Sequence, residues 1–218
     1  MNEARVRLIF HDSLGTRERQ AALAGARAFE RFGVICDCTS AGRRKELRQV
    51  KAGASLGRIV RAENPVVRSE DLLRESFWEF MFYSKTIYGM GITPHPLLNG
   101  DEMDRAQDGV ATGRMAQSVG VGLIGAGGVL SVKRMLETRG ELGCNAISAA
   151  VRHELGHVLG VKDHCADGKC IMQENRDNGV EGQGYVDFLE RFVKPGLDFC
   201  RSCNWKISAA VSRIRFGF

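Results

Sequence analysis

His153, Glu154 and His157 stand in the run HELGH, an HExxH arrangement of two imidazoles and a carboxylate. On a helix of about 3.6 residues per turn, residues four apart project from one face, so the two histidines can bind one ion. Glu154 lies about 100° round the same helix, poorly placed as a further ligand but within reach of a water bound to that ion. Zinc held by three protein ligands keeps an open position for water, lowers that water's pKa to about 7 and polarises a carbonyl as a Lewis acid. The chemistry this pattern predicts is amide hydrolysis with Glu154 as general base.

HExxH alone also arises on solvated helix faces, so its continuation decides. Gly160 follows three residues after His157, where a helix must stop if the chain is to bring back another ligand. Glycine accepts the left-handed conformation that such a stop uses. Asp163 and His164 come next, and either can complete the site; strict HExxHxxGxx(H/D) spacing counts to Asp163.

Beyond them lie two short-spaced cysteine pairs, Cys165 with Cys170 and Cys200 with Cys203. Two such pairs joined by a longer segment are the usual sequence form of a closed tetrahedral zinc site. The chain has seven cysteines and its first residues lack the apolar core of a signal peptide, so thiols kept for metal in the cytoplasm are expected rather than disulfides. Cys36 and Cys38, two apart at the end of an apolar run, read as core-facing strand residues, and Cys144, at a helix start, carries no assigned role.

With these residues in place, the chain resembles the metzincin metallopeptidases, and within them the archaemetzincin family. There the third histidine directly precedes the first of four zinc-binding cysteines, a CxM element supplies the methionine of the turn beneath the catalytic zinc, and a distal CxxC closes a second site. The matching positions are His164, Cys165, Cys170, Met172, Cys200 and Cys203. The resemblance implies His153, His157 and His164 around a catalytic zinc, with Asp163 the alternative third ligand, and a structural zinc on the four cysteines. Met172 would support the histidines without touching metal. This chain departs from the family by one extra residue between Gly160 and the His164–Cys165 pair and by a longer interval from Met172 to Cys200; neither removes a ligand type. The match spans Val151 to Cys203 closely and the first 140 residues only in general organisation.

The elements that hold this centre follow from periodicity. Arg5 to Phe10 and Val34 to Cys38 read as strands around a helix over Thr16 to Phe32, an order that favours a parallel pair with a crossover. Helices are expected over Arg43 to Lys51, Ser69 to Phe82, Tyr185 to Val193 and Trp205 to Ile214, and strands near Ile59 and Val60 and over Lys85 to Ile92. Phe77, Trp78, Phe80, Phe82 and Tyr83 read as core, and His95, between two prolines, as surface. Glu141 to Gly160 is the zinc helix, with Ala146, Ile147, Ala150, Val151, Leu155, Val158 and Leu159 on its buried side.

Gly120, Gly122 and Gly125 fit GxGxxG, but the segment continues to Val132 as alternating glycine and aliphatic residues rather than opening a helix, which argues against a dinucleotide. Residues 119–132 read instead as a glycine-rich strand or pair of strands: the resemblance to metzincins implies an edge that receives extended substrate, and the alternative is a tightly packed interior strand. The acidic stretch Asp101 to Asp108 lacks EF-hand spacing. The charge of +5 is scattered, so no nucleic-acid partner is expected. No run of about 18 apolar residues is present, so no membrane is expected either.

The chain therefore reads as one monomeric, cytoplasmic metallopeptidase domain over residues 1–218, an α/β (α+β) fold with a mixed, twisted sheet on a long zinc-binding helix. The sheet part covers about 1–160, and a small zinc-tied helical part about 161–218. Its expected cofactors are two zinc ions, one catalytic and one structural. Its expected partner is a peptide substrate, with aminopeptidase-like action at peptide ends implied by the resemblance. The competing reading is a two-zinc interaction or regulatory protein without turnover.

Overall fold

Ala4, Val6 and Leu8 are buried while Arg5 and Arg7 between them are half-exposed, the period of two expected of a strand; Ile9 and Phe10 extend the buried run. This strand, β1 (Ala4–Phe10), lies between β2 (Val34–Ser40) and β5 (Ile87–Thr93), parallel to both. Helix α1 (Thr16–Arg27) and a 3₁₀ turn (Glu30–Phe32) make the crossover from β1 to β2.

The computed structural model describes residues 3–40, 49–50, 66–68, 87–94, 97–98, 109–111, 127–138, 140–173, 190, 193 and 197–216. Outside them lie the expected helix over 69–82 with its aromatic residues, the strand near Ile59 and Val60, His95, the acidic stretch 101–108, the three glycines of GxGxxG and most of the helix expected over 185–193.

Among the described residues the main sheet runs in the order β2-β1-β5-β8-β7, where β7 is Gly109–Ala111 and β8 is Gly127–Ser131. All neighbours are parallel except β7, which runs antiparallel to β8. A smaller sheet pairs β3 (Gln49–Val50) with β4 (Val66–Arg68), and β4 with β6 (Leu97–Leu98). One expectation changes here, and one open alternative is resolved. Gln49 and Val50 were expected to close a helix but pair antiparallel with Val67 and Val66, a ladder that local sequence does not encode. The described end of the glycine-rich segment is an interior strand, with β7 outside it.

After a short helix, α2 (Lys133–Glu137), the chain enters the long helix α3 (Glu141–Val158), and the last described helix is α4 (Arg201–Phe216). The seven apolar positions expected to face inward from 146 to 159 are all buried. Ala146, Ile147, Val151 and Leu155 join Ala22 and Ala26 of α1 and Leu8, Met90, Ile92 and Leu130 of the sheet in one apolar cluster. Cys203, Ile207 and Val211 of α4 belong to the same cluster. Among the described residues no helix is long and apolar enough to cross a membrane.

Cys36 and Cys38 do not share an environment. Cys36 Sγ reaches the Ala26 carbonyl oxygen at 3.1 Å, whereas Cys38 is exposed, on the strand that is outermost in this sheet among the described residues. Burial pushes the Cys36 thiol up to about 12, with Glu30 and Asp37 adding to the rise, so it stays neutral.

Helices α1 and α3 cross closely at Gly25, where a Cβ would overlap the main-chain oxygen of Ser148. Backbone against backbone leaves no flexible group to yield. Gly25→Ala is expected to lose about 1–2 kcal/mol even after alanine's better helix propensity is counted. Thermal unfolding reads this directly, and an unchanged or raised midpoint would show that the two helices part freely.

Candidate metal centres

Helix α3 ends on a turn that builds half of the first centre. Gly160, at φ +114°, follows the last helical turn; its N–H donates to the His157 carbonyl at 3.2 Å, and the next N–H, of Val161, donates to the Gly156 carbonyl at 2.9 Å. This is the Schellman pair of bonds that caps a helix and reverses the chain. The reversal places the carbonyl oxygen of buried Val161 against His157, whose Nδ1 donates to it at 2.6 Å. His153 is pinned likewise, its Nδ1 donating to the carbonyl oxygen of Ile171 at 2.8 Å.

With both Nδ1 atoms donating, both Nε2 atoms keep their lone pairs, and they face each other at 3.1 Å. Tetrahedral nitrogen ligands about 2.0–2.1 Å from zinc stand about 3.3 Å apart. The spacing fits the ion. Burial, then the neighbouring His157, pushes His153 down to about 3, and burial lowers His157 as well, so both rings are held in the neutral form that metal binding requires.

His164 is exposed, with its ring centroid 5.2 Å from that of His153 and 5.0 Å from that of His157. The three histidines offer ligand atoms within 4.8 Å of one another. Asp163 is exposed and outside this group, although its charge bears on His157. Between buried Val161 and His164, Lys162 and Asp163 both lie on the surface.

Glu154 follows His153 on α3 and is half-buried. Burial raises its carboxyl to about 7, a value at which it can both take up and give back a proton near neutrality.

The second centre lies just beyond. Cys165, Cys170, Cys200 and Cys203 bring their sulfurs within 4.8 Å of one another, with Cys165 and Cys200 3.6 Å apart. Thiolates about 2.3 Å from a tetrahedral zinc stand about 3.8 Å apart, so this donor set also fits. The loop between the first pair is self-supporting: the Asp167 side chain accepts the Lys169 N–H at 2.9 Å, the Asp167 carbonyl accepts the Cys170 N–H at 2.9 Å, and Cys165 N–H donates to the Met172 carbonyl at 2.7 Å. Cys200 stands at the start of α4, where the Cys203 N–H lowers its thiol to about 7. Fully buried Met172 lies against Gly156, between the two helix histidines in sequence.

One supporting group was not signalled by the sequence. Arg31, from the 3₁₀ turn after α1, grips both carboxylate oxygens of Asp198, 2.8 Å from Nη2 to Oδ1, and donates to Asn204 Oδ1 at 3.1 Å. Its guanidinium also lies over the rings of Phe32 and Phe199. Burial alone would raise the Asp198 carboxyl, but the bonds from Arg31 and the Phe199 N–H outweigh it and hold it below its usual value. Arg31 and Asp198 are 167 residues apart, and neither sits in a recognisable motif.

The sequence matches no protein-family model and no curated protein. Solved structures do match. Archaemetzincin from Methanopyrus kandleri is 18% identical with a TM-score of 0.62, over 98% of this chain and 96% of that one. Archaemetzincin from Archaeoglobus fulgidus, crystallised with malonate, is 20% identical with a TM-score of 0.57, over 93% and 99%. A zinc-dependent peptidase from Methanocorpusculum labreanum is 15% identical with a TM-score of 0.61, over 93% and 99%. At these identities the likeness is one of fold, and it extends over nearly the whole chain.

Proposed function

We propose that this chain, which has the fold of the archaemetzincin structures, is a zinc-dependent peptidase built as a single catalytic domain. One observation carries the reading: three imidazoles bring ligand atoms within 4.8 Å of one another, two of them fixed by main-chain carbonyls, with a carboxylate poised near neutrality on the same helix. His153, His157 and His164 hold the catalytic ion. Asp163 stays at the surface as a neighbouring charge. Bound there, zinc supplies a Lewis acid and lowers the pKa of water at its open position to about 7.

The chain's own residues do the rest. Ile171 and Val161 fix the tautomers and orientations of the helix histidines through their carbonyls. Glu154 takes the proton of the attacking water on its carboxylate and passes it to the leaving amine, which needs a pKa near the working pH. Cys165, Cys170, Cys200 and Cys203 hold a structural ion that ties α4 to the loop beneath the histidines. The names carried by the matched structures, archaemetzincin and zinc-dependent peptidase, agree with this reading.

Purified protein is expected to hold two zinc ions per chain by elemental analysis and to cleave members of a mixed peptide panel. A chelator should abolish cleavage and added zinc restore it, while product masses show whether cuts fall at peptide ends. A fully zinc-loaded chain that leaves every peptide intact would instead favour a binding protein.

A further inference from the structure

Ile171 and Met172 share one peptide group, and both edges of that group are engaged. Its carbonyl oxygen accepts the His153 Nδ1–H at 2.8 Å, and its N–H donates to Cys170 Sγ at 3.4 Å. A peptide unit is planar and resists twisting, so a catalytic-centre imidazole and a cysteine-centre sulfur are attached to opposite edges of one rigid plate. The plate is seated on the second cysteine segment too. Cys170 Sγ accepts the Cys200 N–H at 3.3 Å, the Ile171 N–H donates to the Asp198 carbonyl at 2.9 Å, and Cys170 and Asp198 form a parallel bridge. The side chain that follows the plate is that of Met172, buried against Gly156 of α3.

We propose that the Ile171–Met172 peptide group couples the two centres, so that zinc at the four cysteines fixes the direction in which His153 offers Nε2 to the catalytic ion. The proposal rests on the two-zinc reading above. A sulfur held by zinc cannot swing away from the Met172 N–H, so the plane of the peptide is fixed and the Ile171 carbonyl stays aimed at the imidazole. Linked hydrogen bonds also polarise one another, which strengthens the bond to Nδ1 and makes the opposite nitrogen a better donor. Ile171 is thus a positioning residue that acts through its main chain. Energetic coupling of two sites is reciprocal, so zinc at the histidines tightens the cysteine centre by the same factor.

Metal affinity of the full chain tests this without reference to turnover. Cobalt(II), whose sulfur charge-transfer absorption arises only at the cysteine centre, distinguishes the sites, and zinc affinities follow from competition with chelators. Cys165→Ser opens the cysteine centre while every histidine remains; zinc affinity at the histidines should fall about 10–100-fold. His157→Ala opens the histidine centre but keeps the His153–Ile171 bond; the cysteine centre should lose affinity by an equal factor. Circular dichroism establishes that each variant is folded, and if Cys165→Ser unfolds, His157→Ala decides alone. An affinity within about threefold of the parent in a folded variant overturns the coupling. A parent whose histidines take up neither metal would overturn the zinc reading, and the proposal with it.

Discussion

Glu154→Gln is expected to keep both zinc ions and to lower kcat for peptide hydrolysis by about 10²–10⁴-fold, the usual contribution of a positioned general base. The substitution preserves the size of the side chain and removes only its ability to accept a proton. Glu154 is half-buried and not one of the three imidazole donors, so ligand geometry should survive. Elemental analysis separates the two effects: normal zinc with lost turnover assigns the carboxylate to proton transfer. A loss of less than about tenfold would mean that another group, or solvent, moves the proton.

Removal of a buried cysteine should be felt first in stability. Cys203 is fully buried on α4, and that helix reaches β1 and the 3₁₀ turn as well as the cysteine loop. Metal bound only by the folded state adds folding free energy, about 4 kcal/mol when free zinc exceeds the dissociation constant a thousandfold. Cys203→Ser is therefore expected to lower the thermal midpoint by about 8–16 °C for a chain of this length, with α4 the first element to exchange its amides. A midpoint within about 2 °C of the parent would show that the four sulfurs contribute no metal-linked stability.

The sequence spoke most clearly where structure is local. The seven apolar positions named between 146 and 159 recur with the period of a helix, and all of them are buried; HExxH and the two cysteine pairs are short motifs whose spacing is itself the geometry. Counting became ambiguous at Asp163 and His164, since the path after Gly160 depends on the Val161 carbonyl reaching His157, a contact that spacing does not encode. The two-residue strand at Gln49 and Val50 exists by pairing with Val66 and Val67, and the Arg31–Asp198 grip joins two ordinary surface residues from distant parts of the chain. Such contacts are products of the assembled fold.

The two helix histidines, the His164 ring and both carbonyls that orient the rings all fall between residues 153 and 171. The sheet beneath them is assembled very differently, for Arg5 must find Ile87 and Gly89 must find Gly127. Closing long loops before any pairing is gained slows folding, whereas a helix and its capping turn form early and locally. During synthesis the ribosome releases this segment only after β1, β2, β5 and β8 have emerged. A nascent chain can therefore bring its three clustered imidazoles together within one short stretch while distant strands are still searching for their partners.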